Sequence, residues 1–435
     1  MRSPDSGAPA REHTATGAPA GGRKRRNPFG RYARLARLAG TSFLTIGFLA
    51  RLPLAMLTVG ALTLITVTTG SYASGGFAAG AVGIGSAVGA PLFGYLADRA
   101  GQRPVLLIAA AAHTCAIGLL LTCVYIGTSG AGTAAVLAAS FLVGATCPQV
   151  GSLARVRWMA MTRSDKPALD TALSYESTAD ELTFVMGPAL VGLLAALIAP
   201  WLPFVLAAAL TVTMVTAFAV HPTYRTVVPL TPELVKADPG AAAAATPVRI
   251  NWPLVSIPVL GMVAMGTFFG ATQNALSAFG GTFGAADAAG LLYALLGLTS
   301  AFGALSVAYW PARWTHAWRW VVCAALMTAF CLLLLLPTDV LPMIFVLLLV
   351  GVPVGPTMVT IYGIGSVVAP DERLGTVMTL LASGVVLGSA LGSALAGALA
   401  EASGHSGAFL VSIGAAGMLF VLGLVAAAVV RRRRR

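Results

Sequence analysis

The fold of this chain is decided by residues 94–106, which read Gly94-Tyr-Leu-Ala-Asp98-Arg99-Ala-Gly101-Gln-Arg103-Pro-Val-Leu106. An apolar tract gives way here to an acidic residue, two arginines and a glycine, and a second apolar tract follows at once. Gly94 permits a close approach between helices, and Gly101 permits a left-handed turn. The stretch therefore predicts two membrane helices that are joined by a tight, charged turn at the membrane edge.

The composition of the whole chain agrees with this interpretation. Of the 435 residues, 57% are hydrophobic and only 10% are charged, and the mean hydropathy is +0.85. A soluble domain has about 25% charged residues, so this chain has too few to cover a surface that faces water. The composition indicates an integral membrane protein.

Apolar tracts long enough to cross a bilayer occur twelve times, since each crossing needs about 20 residues. Their approximate bounds are 43–68, 77–97, 104–126, 133–156, 170–199, 201–220, 253–279, 288–310, 319–336, 340–364, 374–400 and 407–430. The joints at 200–203 and 337–342 are short and proline-rich, yet one span of about 40 residues is less credible than two.

The basic residues predict the orientation of these spans. Lysine and arginine accumulate in cytoplasmic segments. With the amino terminus inside, 26 of the 27 basic residues fall in the tails or internal segments, and Arg51 in span one is the remaining one. We therefore expect a multi-pass protein of the cytoplasmic membrane with both termini in the cytoplasm.

The longest internal loop divides the spans six and six, which gives the predicted domain organisation. Two pairs of motifs suggest a duplication: Ala79-Gly80 resembles Ala289-Gly290, and Gly187 with Gly192 resembles Gly392 with Gly397. Glycines are common in this chain, so coincidence stays an alternative. The predicted regions are a disordered basic tail (1–42), a six-helix bundle (43–220), a cytoplasmic loop (221–252), a second six-helix bundle (253–430) and a basic tail (431–435).

The sequence argues against several other classes of protein. The net charge of +12 comes from tails and short loops without interleaved aromatic residues, so we expect anionic lipid headgroups as partners of the tails and no nucleic acid. All five cysteines lie in apolar tracts, and we expect no metal site and no cofactor. No phosphate-binding loop and no catalytic cluster is evident, so we do not expect an enzyme.

Residues 94–106 resemble the signature of the major facilitator superfamily in the loop between spans two and three, written G-x-L-a-D-r-x-G-r-[RK]-x-x-l. The resemblance implies an all-α membrane fold, with twelve helices in two six-helix pseudo-repeat bundles around a central cavity, and transport by alternating access. It also implies a gating motif at Gly94, Asp98, Arg99, Gly101 and Arg103. Asp98 would hold the two halves together at the start of span eleven, near Leu374, with Arg99 and Arg103 as its charge partners. The equivalent stretch of the second half has no aspartate.

Span five contains Gly187-Pro188 followed by Gly192, which resembles part of the antiporter motif of exporting members of that family. The match is incomplete, because Thr183 stands where the motif has glycine. A proline kink with a small-residue packing face is an equally good explanation of these residues.

Ionisable groups inside a span are candidates for function because their burial is costly. The candidates for proton coupling are Asp180, Glu181 and Glu176. We expect Asp180 and Glu181 at the internal edge of the hydrocarbon and Glu176 further toward the cytoplasm. The candidate gate partners are Arg51, Arg155 and Arg157. The alternative is that these groups are solvated among the headgroups, with Arg51 extending to the interface. His113 in span three is interpreted as a helix-packing residue, with a proton relay as the alternative.

Gln273 and Asn274 in span seven are the candidate substrate contacts, because uncharged amides can orient a ligand and the first span of each three-helix unit lines the cavity in this family. A hydrogen bond between helices is the alternative. The sequence thus predicts a monomeric secondary transporter that moves a small organic solute, with proton-coupled efflux favoured by the span-five motif. The alternatives are an uptake symporter or facilitator, or a sensor that has lost transport.

Overall fold

The computed structural model describes residues 30–125, 132–163, 165–227, 250–283, 289–311 and 313–433, and within these ranges the chain is helical without β-strands. Eleven helical segments there are long and apolar enough to cross a membrane. The spans are Thr41–Leu49 with Leu52–Thr69, Tyr72–Ala100, Gln102–Tyr125, Thr133–Ala145 with Val150–Met161, Lys166–Leu197, Leu202–Leu210 continued through Thr211–Val215 to Val220, Trp252–Thr282, Ala289–Ser306, His316–Leu332, Val340–Val368 and Leu374–Arg433.

The last of these segments supplies two spans. Its membrane-crossing part, Asp371–Val429, has 59 residues, about twice what one crossing needs. It bends at Gly404, whose φ of +69° is outside the helical region and is rarely adopted by other residues. Spans eleven (374–403) and twelve (405–433) meet there. The described residues therefore form twelve spans, which confirms the predicted fold class.

The helices of spans one and four are each interrupted close to residues of the candidate functional site described below. Span one breaks between Leu49 and Leu52, and Pro53 occupies the first turn of its second half. Span four breaks around Pro148. Proline lacks a backbone N–H and disfavours the helical conformation in the residue before it. The first break places Arg51 in the interior, about 15 Å along span one from Thr41 at 1.5 Å per residue.

The predicted disorder of residues 1–42 is wrong for its last part. Gly30–Ala39 form a helix, with Leu35 and Ala39 buried, that packs against the beginning of span five. Tyr32, Leu35, Ala36 and Ala39 have the spacing of one helical face, which the sequence interpretation overlooked. We call this the N-terminal helix. Residues 1–29, 228–249 and 434–435, which belong to the predicted tails and loop, lie outside the described residues.

The two halves repeat the same helix pairings. Span two packs on span four and span one on span five, and likewise eight on ten and seven on eleven. A side chain at Gly187 would lie 2.7 Å from Ala55 of span one, and one at Gly392 would collide with the backbone of Thr267 in span seven. Gly192 and Gly397 meet nothing within 4 Å. The matched positions thus have matched surroundings, as a repeat requires.

Candidate functional site: a cavity between the halves and its closed end

A cavity of about 750 Å³ lies between the two halves. This is within the range of about 300–1,000 Å³ that is typical of sites for small molecules. Spans one, two, five, seven, eight, ten and eleven all contribute to its wall, which is mostly apolar. Aromatic and amide groups add the specific features; they are Phe77, Phe184, Phe269, Tyr293, Gln273 and Asn274.

Gln273 and Asn274 line the cavity, where the sequence analysis expected them. Asn274 Nδ2 donates to the carbonyl of Gly270, 3.2 Å away within the same helix. Among the described residues, neither amide forms a hydrogen bond to another helix. This argues against the alternative that Gln273 and Asn274 serve as a helix–helix contact. Both groups face the space in which a solute would bind.

Below the cavity, two acids of span five are paired with two arginines from other spans. Arg51 Nη2 donates to Glu176 Oε2, and Arg155 Nη2 donates to Asp180 Oδ2 at 2.7 Å. Arg51 Nε lies 3.6 Å from Asp180 Oδ1, so the two pairs form one cluster. Trp158 Nε1 donates to the other oxygen of Glu176 at 2.7 Å. We call these four side chains, Arg51, Arg155, Glu176 and Asp180, the acid–arginine cluster.

The cluster is buried, which contradicts the alternative of headgroup solvation. The exposed fractions are 5% for Arg51, 1% for Arg155 and for Glu176, and 8% for Asp180. Glu176 and Asp180 are one helical turn apart and face the arginines together. Burying such charges is tolerated only when they are paired and hydrogen-bonded.

The depth of the acids in the bilayer stays a prediction. Asp180 and Glu181 lie near the middle of the span-five helix, which begins at Lys166 and has 32 residues. The first half of this helix contains polar residues that are buried in the protein. Among these are Thr171, Ser174 and Ser177.

Glu181 has surroundings different from those of Asp180. It lines the cavity, it is 5% exposed, and its Oε1 has no hydrogen-bond partner. The side chains of Ser300 and Tyr293 from span eight lie beside it. Adjacent residues of a helix point about 100° apart, so Glu181 turns away from the arginines that Asp180 contacts.

Arg157 does not belong to the cluster, and its assignment as a gate partner of the acids is corrected. Its Nε donates to Gln102 Oε1 at 2.8 Å, and its Nη1 donates to the Phe218 carbonyl at 2.9 Å and to Thr223 Oγ1 at 3.0 Å. Two residues correspond to a rotation of about 200° around a helix, so Arg155 and Arg157 face opposite sides of span four.

A small pocket of about 40 Å³ lies beside the cluster and next to the cavity. Its wall includes Arg51, Asp180 and Arg155, and it shares Leu54, Phe184 and Met358 with the wall of the cavity. Such a volume suffices for a water molecule, and the lining offers several polar partners. Arg155 also stacks on Tyr362 of span ten, with its Cζ 3.7 Å from the ring centre. Sequence reasoning missed Tyr362, because no local signal distinguishes it from other aromatic residues in spans.

Asp98 contacts the start of span eleven, as the resemblance to the family signature implies. We call the end of the molecule where Asp98 lies the motif end. Asp98 accepts hydrogen bonds from the Gly375 N–H and the Thr376 N–H at 2.8 Å, and from Thr376 Oγ1 at 2.7 Å. Span eleven begins at Leu374, so the carboxylate caps a helix N-terminus. Gly94 permits this approach, because a Cβ there would lie 2.7 Å from the Gly375 carbonyl oxygen.

The expected pairing of Asp98 with Arg99 and Arg103 is wrong. The guanidinium of Arg99 stacks on Tyr95 at 4.8 Å, and that of Arg103 lies 5.5 Å from the ring centre of Tyr224. Three hydrogen bonds from a helix N-terminus already satisfy the carboxylate, so it needs no arginine. Gly101 adopts the expected left-handed backbone, with φ of +88°.

Further contacts between the halves lie at the motif end and were not anticipated. In the N-terminal helix, Arg31 Nη1 donates to the carbonyl of Ala308, and Tyr32 Oη donates to that of Leu305 at 2.6 Å. Both acceptors are at the end of span eight. Arg34 of the same helix pairs with Asp165 at 2.5 Å, at the start of span five. The N-terminal helix therefore connects the first half of the chain to the second.

The remaining candidates are the span-five motif and His113. Gly187 allows span five to contact span one, Pro188 lines the cavity, and Gly192 meets no neighbour. These contacts agree with the packing explanation of the span-five residues. His113 is fully buried in span three, with Nδ1 3.4 Å from Thr146 Oγ1. Over the described ranges, no cluster of three histidine, cysteine or acidic residues is placed to bind a metal ion.

Comparisons with known proteins agree with this architecture. A family model described as Major Facilitator Superfamily matches residues 43–380 and 259–435. The human organic anion transporter MFSD10 (TETRAN) has 20% identity and a TM-score of 0.66, with 89% of this chain and 99% of that chain covered. An outward-facing bacterial homologue of the iron transporter ferroportin has 16% identity and a TM-score of 0.64, with 89% and 99% covered. A search of curated protein sequences gave no match.

Proposed function

The chain belongs to the major facilitator superfamily, and on that premise we propose that it is a secondary active transporter that exports a small organic solute across the cytoplasmic membrane in exchange for protons. One observation supports this most strongly. A cavity of small-molecule size lies between the two halves, and an acid–arginine cluster occupies its floor. The solute site and a titratable group that contacts both halves are thus neighbours.

From the contacts at the motif end we assign the conformation of the protein to one state of the transport cycle. Asp98 joins span two to span eleven, and the N-terminal helix joins span eight to the start of span five. If the motif end is cytoplasmic, as the basic residues predict, the conformation is closed inward with the cavity toward the outside. A transporter must break these contacts to load solute from the cytoplasm.

The acid–arginine cluster supplies a physical route from protonation to movement. A proton that reaches Asp180 through the small pocket removes the negative charge that holds Arg155. Arg155 stacks on Tyr362 of the other half, so its release weakens a contact between the halves. Coupling then requires only that the pair reforms when the proton leaves. Asp180 is our first choice for the coupling group, with Glu176 and Glu181 as the other candidates.

The test is paired measurement of solute and proton flux in liposomes that contain the purified protein. Ethidium, chloramphenicol and fluorescein serve as cationic, uncharged and anionic probes, and the proton gradient is imposed in both directions. We expect at least one probe to move against its gradient while protons move in the opposite direction. Movement in the same direction would indicate a symporter, movement without protons a facilitator, and no movement of any probe would contradict transport of solutes of this kind.

A further inference from the structure

Glu181 is the feature of the cavity that has no role if Asp180 carries the coupled proton. Among the described residues that line the cavity, it is the only acidic or basic one. It projects from the middle of span five, and the remainder of the wall is apolar, aromatic, amide or hydroxyl. A solute in this cavity therefore meets one acidic group and no basic group among the described residues.

The two arginines of the acid–arginine cluster do not neutralise Glu181. Arg51 pairs with Glu176, and Arg155 pairs with Asp180, so the acid–arginine cluster is balanced without it. Glu181 itself forms no ion pair within the described residues. Its Oε1 is buried without a hydrogen-bond partner, and the hydroxyl group of Ser300 lies beside the carboxyl group.

A buried carboxylate with an unused acceptor is costly unless a positive charge or a proton accompanies it. No described residue supplies a positive charge at this point, whereas an arginine accompanies each of the neighbouring acids Glu176 and Asp180. Phe184, Phe269 and Tyr293 line the same cavity, and aromatic rings attract cations through their faces. The site is thus suited to a positive group on an apolar molecule.

We propose that the cavity binds a hydrophobic organic cation, with its positive group against Glu181 and its apolar body among the aromatic side chains. This inference rests on the proposed function in that the bound molecule is taken to be the exported solute. An organic anion would be repelled by an ionised Glu181, and an uncharged solute would leave its Oε1 without a partner. Selectivity for charge is therefore determined by this one residue.

The experiment is equilibrium binding to the purified full-length protein in detergent, without a membrane or a gradient. The probes are radiolabelled tetraphenylphosphonium and ethidium as cations, with tetraphenylborate as an anion of the same shape as the first. The variant is Glu181→Gln, which removes the charge and keeps the size. The matched control is Glu401→Gln, the same change at an exposed glutamate outside the cavity.

We expect the wild-type protein to bind the cations saturably and to prefer tetraphenylphosphonium to tetraphenylborate. Glu181→Gln should weaken cation binding by about tenfold or more, because a charge-assisted contact is lost, whereas Glu401→Gln should bind like the wild type. The inference is overturned if neither cation binds, if the anion binds as tightly as the cation, or if Glu181→Gln keeps the wild-type affinity. The comparison of tetraphenylphosphonium with tetraphenylborate uses only the wild-type protein, so it does not depend on whether a variant folds.

The outcome separates this inference from the proposed function. A protein that binds cations through Glu181 but moves no probe across liposomes would support the site and contradict transport. A protein that exports chloramphenicol in exchange for protons but binds no cation would support transport and contradict the cation site.

Discussion

At the scale of single residues, Asp180 and Glu181 show how one position along a helix changes the chemistry of a carboxyl group. Asp180 faces Arg155 and Arg51, whereas Glu181 faces the cavity and has no cationic partner in the described structure. Removing one member of a buried ion pair typically costs about 3–5 kcal/mol, because the other charge is left uncompensated. Substitutions in the cluster must therefore be compared with variants in which both partners are neutral.

Asp180→Asn should retain solute binding and downhill exchange but lose transport against a gradient, because a permanently neutral group cannot alternate between proton and arginine. Glu176→Gln should have a weaker effect, since Glu176 does not line the small pocket. The measurement is the ratio of protons to solute in liposomes. The control is Asp180→Asn with Arg155→Gln, which removes the unpaired arginine and should recover thermal stability without recovering coupling. Wild-type ratios for neutral variants at all three acids would show that they are structural.

At the scale of helices, the closure of the motif end depends on contacts of unequal strength. The three hydrogen bonds of Asp98 involve a charged acceptor, and such bonds contribute about 1.5–3 kcal/mol each. The pair between Arg34 and Asp165 is partly exposed, and such pairs contribute about 0–1 kcal/mol. Asp98 should therefore dominate, with the N-terminal helix as an additional support.

Asp98→Asn should leave the protein folded and weaken closure at the motif end, because the amide keeps the shape and loses the charge. The reporter is Ser152→Cys in a cysteine-free parent. Ser152 is 2% exposed and donates to the Met378 carbonyl of span eleven at 3.2 Å, so a cysteine there reacts only when the halves separate. We expect its labelling rate to rise and transport to fall. Unchanged labelling together with full transport would reduce Asp98 to a loop residue.

Arg31→Ala combined with Arg34→Ala should raise labelling of the same reporter by less than Asp98→Asn does. The two substitutions remove the hydrogen bond of Arg31 to the Ala308 carbonyl and the pair of Arg34 with Asp165, and they leave the hydrogen bond of Tyr32 to Leu305 in place. Arg37→Ala is the matched control, because Arg37 is exposed on the same helix and forms no ion pair among the described residues. If Arg37→Ala raises the labelling rate equally, the change is due to the charge of the helix alone. If neither variant changes the labelling rate, Arg31 and Arg34 do not contribute to closure of the motif end.

At the scale of the whole molecule, the chain has two ends that differ in charge and in contact between the halves. The motif end joins the halves through Asp98, the N-terminal helix and the pair of Arg163 with Asp371. The cavity lies toward the other end, between spans of both halves. Which end faces the cytoplasm decides whether this conformation releases or collects solute.

A cysteine at Ser403 should react with an impermeant thiol reagent in intact cells, whereas one at Arg313 should react only after the cells are opened. Both side chains are exposed, Ser403 at the end opposite the motif and Arg313 in the loop after span eight at the motif end. A cysteine-free parent is the control, since five native cysteines lie in the spans. Labelling of Arg313→Cys from outside would invert the orientation and, with it, the proposed direction of transport.

The amino-acid sequence by itself determined the class of protein, the number of spans and the position of the Asp98 turn. These follow from hydropathy and charge, which add up along the chain and need no knowledge of distant contacts. It also singled out Asp180, Glu181, Gln273 and Asn274, because polar groups in apolar tracts are conspicuous.

Only the tertiary structure decided which of these groups meet. Arg51 and Glu176 are 125 residues apart in the chain, and the contact depends on a break in span one and on the crossing of two helices. Arg157 faces away from the acids, Asp98 contacts a helix N-terminus and not Arg99 or Arg103, and Glu181 lines the cavity. In each case the partner is fixed by the rotation of a helix about its axis, where one residue changes the direction of a side chain by about 100°.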